Sequence, residues 1–279
     1  MTSSEGDLTL PSDLVQSGIV ARYEFLKHLR SRRLLGIFVL EIAIIALIVL
    51  IPPLQGQDYP SDPAKFAGMF VQWVWILIVI GSTLFAGDSI VSEFQQRTGY
   101  LLFPNPVKRR VLFIGKFAAS TGIVFLALAA FYAVVAIIVV SVDGSISGLM
   151  ASSFGLAMLF GVAALSIGYI ISSFMKSSTG ALILTFALML LIFRIVDGVA
   201  MASKARPDFS LTFSSGAIGY IMETPYPTDF VETFPFGGRT LEFTNYYPSV
   251  TVSIVVAIIY AIVAVALAIW LFDRREMSA

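Results

Sequence analysis

The sequence has no cysteine, one histidine and little charge: only 13% of its residues are Asp, Glu, Lys or Arg. Without cysteine there is no disulfide, thiolate metal site or cysteine nucleophile. His28 alone leaves little for metal chemistry. Formal net charge is zero, so no bulk field attracts nucleic acid. No GxxxxGK[ST], HExxH, GxSxG or GxGxxG run occurs. Gly115-Lys116 is followed by Phe117, with no glycine at the phosphate-loop spacing before it. No enzyme class is indicated, and the chain lacks the means to hold ATP by that loop. The first thirty residues contain no apolar core with a small-residue cleavage site, so the first apolar run is expected to stay as its own insertion signal.

What the chain has in abundance is apolar sequence: 57% hydrophobic residues and a mean hydropathy of +0.88. A soluble domain is about 45–50% apolar and about 25% charged. A bilayer removes the need to hide this surface. A spanning helix needs about 20 mostly apolar residues, and six stretches qualify: Leu34–Pro53, Phe66–Gly87, Phe117–Ser141, Leu149–Ser172, Gly180–Ala202 and Ser249–Phe272. The reading is an all-α polytopic membrane protein with six transmembrane helices and an N-terminal interfacial helix. Lysine and arginine mark the cytoplasmic side. They crowd the N-terminal segment (Arg22, Lys27, Arg30, Arg32, Arg33), the loop after the second span (Arg97, Lys108, Arg109, Arg110, Lys116), Lys176, and the tail (Arg274, Arg275). The opposite loops carry only Lys65, Lys204, Arg206 and Arg239. Both termini are therefore expected in the cytoplasm, with the chain in the plasma membrane.

Residues 1–18 are polar and expected to be a disordered cytoplasmic tail. Residues 19–33 place Ile19, Tyr23, Leu26 and Leu29 near one helical face among basic residues, the pattern of an interfacial amphipathic helix; His28 is expected at its surface. Residues 34–279 form the six-span domain. Its inner loop, 88–116, is long. Asp88–Tyr100 is read as a helical extension of the second span, Pro104 and Pro106 as a turn, and Val107–Lys116 as the lead into the third span. Its outer loop, 203–248, is rich in aromatics, proline and glycine and carries Asp208, Glu223, Asp229, Glu232 and Glu242. Short elements packed at headgroup level are expected there, with a substrate lid or an outer-side partner as alternatives. Small-residue pairs at four-residue spacing (Ala164 and Gly168, Ala257 and Ala261, Ala264 and Ala268) allow close helix approach, within one subunit or across a dimer seam.

Three ionisable residues fall inside spans: Glu41, Arg194 and Asp197. Each costs about 2.5–3.5 kcal/mol at mid-helix on insertion scales, so they stand as candidates for a translocation path or a subunit interface, against buried structural polarity. Arg194 and Asp197, three apart, share a face and can pair. Glu41 lies about 10 Å shallower than Arg194, which disfavours a bridge between them.

The inner loop resembles the loop that marks permease subunits of type-2 ATP-binding-cassette (ABC-2) exporters. The matching residues are Glu93, Arg97-Thr98-Gly99, Leu101-Leu102, Pro104 or Pro106, Lys108-Arg109-Arg110 and Gly115-Lys116. Thr98-Gly99 reverses the order common in that family. The basic segment before the first span, the long outer loop before the last, and the ending Phe272-Asp273-Arg274-Arg275 also fit. The resemblance implies a permease pairing with a second copy, driven by a separate cytoplasmic nucleotide-binding ATPase that binds ATP and magnesium. Glu93, Arg97, Thr98, Gly99, Leu102, Pro104, Lys108 and Arg109 would form the ATPase-coupling loop. Glu93 and Arg97 are also spaced to pair along one helix. The competing reading is a stand-alone secondary transporter or channel, which favours broken spans repeated in two halves; no such repeat is evident.

Overall fold

The computed structural model describes residues 11–95, 108–236 and 239–275. Among them six helical stretches are long and apolar enough to cross a membrane. The first element, α1 (Asp13–Leu29), is separate from these and precedes them. The first span is α2 (Arg32–Leu54), capped by Ser31, whose hydroxyl accepts from Leu34 N. The second span is assembled from α3 (Pro63–Val71), α4 (Val74–Ala86) and α5 (Val91–Gln95). The third and fourth are the unbroken helices α6 (Arg109–Asp143) and α7 (Leu149–Phe174). The fifth is α8 (Ser178–Ala187), a π-helical turn at Leu188–Ile192, and α9 (Phe193–Ala202). Two short helices, α10 (Leu211–Ser215) and α11 (Ala217–Tyr220), and an antiparallel hairpin of β1 (Phe230–Phe236) and β2 (Arg239–Asn245) precede the last span, α12 (Val250–Arg274).

Local chemistry accounts for the ends. Asp62 caps α3 by accepting from Ala64 N at 2.8 Å. Pro63 occupies the first helical position, where no amide partner is required. Gly144 ends α6 with φ +71°. That left-handed conformation costs glycine nothing. Pro53 in the last turn of α2 has no N–H for the Val49 carbonyl. The Tyr59 hydroxyl donates to that carbonyl instead, at 2.6 Å.

The second and fourth spans are the centre of the bundle, with 67% of their most apolar windows buried, against 17% for the fifth and 22% for the first. Close approach at the centre depends on glycine: a Cβ on Gly168 would come within 2.8 Å of Ala86 Cβ. Ala164, Gly168, Ala257, Ala264 and Ala268 are all buried within this one chain, so these small residues pack spans of the same subunit. The first and fifth spans leave large apolar side chains exposed, such as Val39, Ile42, Ile183 and Val199. These faces suit lipid or another membrane-embedded surface.

The spans define two faces. α1, α5, the start of α6 and the end of α12 share one, here the terminal face. α10, α11 and the β-hairpin share the other, the hairpin face.

Several sequence expectations change in detail. α1 begins at Asp13, so residues 13–18 are helical and not part of a polar tail. The reason is contact: Ser17 and Val20 sit on Gly115 of α6, where a Cβ would come within 2.6 Å of Val20. α10 and α11 are the short elements expected in the outer loop, and they are packed tightly against the spans: Leu211, Thr212, Ala217 and Ile218 are nearly inaccessible. One of their carbonyls is met by a side chain of the fourth span. Ser153, itself bonded to the Tyr132 hydroxyl at 2.8 Å, donates to the Ile218 carbonyl at 2.6 Å.

Candidate functional site: the terminal face

α1 lies along α6 over two glycines one heptad apart. Gly115 admits Val20, and Gly122 admits the Phe25 ring, which a Cβ would meet at 3.2 Å. The helix is turned so that its polar side faces the protein. Ser17, Glu24 and His28 point inward, while Leu14, Ile19 and Tyr23 stay exposed. His28 is therefore no surface residue: its ring meets the Phe85 ring edge-on at 5.0 Å. Burial pushes its pKa down to about 4, so it is neutral at neutral pH.

The inward side of α1 meets a buried cation. Lys116 on α6 is only 5% exposed, and its Nζ donates to Glu24 Oε1 and to Glu93 Oε1, each at 2.7 Å. One ammonium thus joins α1, α6 and α5. Burial would raise the Glu24 carboxyl, but Lys116 and then Lys27 outweigh it and hold its pKa below the ordinary value. A second pair fixes the helix junction. Arg33 grips Asp88 with two parallel bonds of 2.8 and 2.7 Å and donates to the Leu84 carbonyl at 2.6 Å. Such a two-pronged, charged contact fixes orientation as well as distance.

The turn between α4 and α5 is held from the fourth span. Ser172 Oγ accepts from Ile90 N and Val91 N at 2.8 and 3.1 Å. The Tyr169 hydroxyl bridges Ser89 and Ser120 at 3.0 and 2.9 Å. Gln95, the last residue of α5, accepts from Ser178 N at the start of α8 at 2.9 Å.

The far side of the inner loop is anchored too. Arg109 donates to the carbonyls of Asp273 and Arg275 at 3.2 and 2.6 Å. It thereby meets the negative end of α12. Arg110 pairs with Asp273 at 2.8 Å, and Lys108 with Asp13 at 2.7 Å. Arg275 closes the ring: it donates to Ser172, Ser173 and Met175 carbonyls at the end of α7 and lies 4.0 Å over the Phe94 ring.

Of the residues expected in the coupling loop, Glu93, Lys108 and Arg109 are therefore anchored contacts at its two ends. Arg97, Thr98, Gly99, Leu102 and Pro104 lie outside the described residues. Glu93 has Lys116 as a partner; its expected partner along the helix, Arg97, lies outside the described residues. Glu24, Arg33, Asp88 and Arg275 are not among the site residues that the sequence suggests. Their partners are 92, 55 and about 100 residues away in the chain, beyond any local spacing rule.

The intramembrane charges are elsewhere. Glu41 is buried, facing inward with Leu34, Ile37 and Ile45, and its Oε1 has no hydrogen-bond partner. Arg194 and Asp197 both line a cavity at the hairpin face. Asp197 Oδ2 accepts from the Thr212 hydroxyl at 2.5 Å and its Oδ1 has no hydrogen-bond partner, so the expected pairing with Arg194 is not formed. The structure does not bring Glu41 and Arg194 together. No group of three or more His, Asp or Glu that could hold a metal occurs among the described residues.

Residues 19–277 match the sequence profile of the ABC-2 family transporter proteins. No curated protein matches the chain. The match takes in all six spans and most of α1. The chain belongs to the ABC-2 transporter family and is a multi-pass membrane permease component of an ABC transporter.

Proposed function

We propose that this permease is the membrane half of an exporter, works as a pair with a second permease copy, and is driven by a cytoplasmic nucleotide-binding ATPase docking at the terminal face. The observation that carries the proposal is the anchoring of both ends of the inner loop. Glu93 on one side and Arg109 on the other are tied by charged contacts to α1, α6 and α12. A load applied to residues 96–107 would be passed to several spans at once. That is what a segment seated in a moving ATPase needs, with ATP and magnesium held by the ATPase. In this reading the terminal face, with its excess of Lys and Arg, is cytoplasmic and the membrane is the plasma membrane. The exposed apolar faces of the first and fifth spans suit both lipid and the second copy.

The test is affinity purification from native membranes in mild detergent. A nucleotide-binding ATPase should accompany the chain. Replacing residues 98–104, including Thr98, Gly99, Leu102 and Pro104, by a Gly-Ser linker of equal length should release it while the chain still purifies. Retention of the ATPase by that variant would refute docking at this loop. A wild-type chain that comes out alone and carries gradient-driven flux would make it a secondary transporter or channel.

A further inference from the structure

At the hairpin face, α3, α9, α10 and α11 enclose a cavity of about 860 Å³. Four charged side chains line it: Lys65 and Arg194 of one sign, Asp197 and Glu223 of the other. Arg194, Lys65 and Glu223 are exposed, whereas Asp197 is only 4% exposed. Thr212 fills one Asp197 oxygen, and the other, Oδ1, has no partner. Trp75 lines the same cavity at 5% exposure, and its indole Nε1 is likewise unpartnered. A buried acceptor left unmade costs about 1–3 kcal/mol, more when charged. Asp197 on α9 and Trp75 on α4 both line the cavity and keep these atoms just beneath its surface, an acceptor and a donor that a ligand offering both would complete.

We propose that this cavity binds a zwitterionic amphipathic molecule carrying a protonated amine and a phosphate or similar acidic group. The amine meets Asp197 Oδ1. The acidic group meets Arg194, which lies one helical turn away on the same face of α9, with Lys65 reinforcing it. Trp75 Nε1 donates to an oxygen of the ligand. The apolar part lies against Met69, Met201 and Phe213. A simple cation would satisfy Asp197 and face Arg194 and Lys65 with like charge. A simple anion would do the reverse at Asp197 and Glu223. Only a ligand with both signs answers the whole wall. The two unpartnered atoms are shielded from bulk water, which raises the worth of a partner there and requires the ligand to displace the wall to reach them.

The same headgroup chemistry occurs in an aminophospholipid and in a water-soluble phosphoethanolamine compound. Binding is measured on the full chain purified in dodecyl maltoside, without an ATPase, so its failure leaves the docking proposal standing. Lysophosphatidylethanolamine should bind about tenfold or more tightly than lysophosphatidylglycerol, which lacks the amine. Asp197→Asn and Arg194→Gln should each weaken it by about tenfold. Arg194 is exposed, so Arg194→Gln tests the site even where Asp197→Asn destabilises the chain. Competition by glycerophosphoethanolamine would assign the site to a soluble zwitterion, and its failure to compete would assign it to a lipid. Equal binding of the two lysolipids, or binding unchanged in Arg194→Gln, would overturn the proposal.

Discussion

The two faces of this permease treat charge in opposite ways. At the terminal face the buried and half-buried charges have partners: Lys116 has Glu24 and Glu93, Arg33 has Asp88, and Arg109 and Arg275 have backbone carbonyls. At the hairpin face the cavity wall leaves Asp197 Oδ1 and Trp75 Nε1 without partners. Desolvating an ion costs several kcal/mol, and only good geometry with several partners offsets it. A completed set holds helices in one arrangement and transmits force between them. An incomplete set keeps interaction free energy available for something that arrives later. The first is suited to a lever, the second to a binding site.

The largest expected effect breaks the completed set. Lys116→Met removes the shared cation and leaves two carboxylates facing each other in a buried place. A loss of about 3–5 kcal/mol is expected, the usual cost of breaking a buried pair. It should appear as a large fall in the thermal unfolding midpoint of the purified chain. The triple variant with Glu24→Gln and Glu93→Gln should recover much of that loss, because no uncompensated charge remains. If Lys116→Met alone unfolds like the wild type, the three-way junction does not hold α1.

Acid should loosen the same junction more gently. The pKa of His28 is depressed by burial, so the unfolded chain binds a proton between pH 6.5 and about 4 that the folded chain refuses. Stability contributed there is present above pH 6.5 and lost as pH falls toward 4. The lowered pKa of Glu24 adds a loss at still lower pH, as its carboxylate is protonated and leaves Lys116. Amide exchange in α1 should therefore accelerate between pH 6.5 and 4, relative to exchange in α7. His28→Phe, which keeps the contact with Phe85 but cannot titrate, should flatten the upper part of that profile. An α1 exchange rate that tracks α7 at every pH would show that the junction does not sense protons.

The smallest effect is expected where charges are paired but exposed. Arg206 binds Asp208 and Asp229 at 2.9 and 2.8 Å, with all three side chains about a third or more exposed. Water and salt screen such contacts, so Arg206→Ala should cost no more than about 1 kcal/mol in a thermal melt. A loss as large as that of Lys116→Met would erase the distinction between the two faces. It would make the loop after the fifth span a structural clasp.

Much of the plan was legible in the residues. Six apolar runs of spanning length became six spans because each satisfies its own backbone and needs no partner to be recognised. Gly-Lys at 115–116 reads in the sequence as part of a motif. Its structural meaning, a glycine that admits Val20 and a lysine that ties two acids, needs α1 and α5 to be in place. The inward turn of α1 was not legible. Ile19, Tyr23, Leu26 and Leu29 do form an apolar side, but in a membrane an apolar side faces out as readily as in, and Glu24 and His28 follow from which way it turns. Short packed elements were legible in the outer loop from its aromatics, but not which groups hold them, such as Ser153 donating to the Ile218 carbonyl.

By itself the sequence determined the class of protein, the number of spans, and the concentration of charge in the inner loop. Hydropathy and charge act locally and survive without coordinates. The tertiary structure alone decided which charges meet. Lys116, Asp88 and Arg275 find partners far along the chain, and Asp197 is left with one oxygen empty. Pairing depends on which helix faces approach each other, and that is settled by packing at Gly115, Gly122 and Gly168.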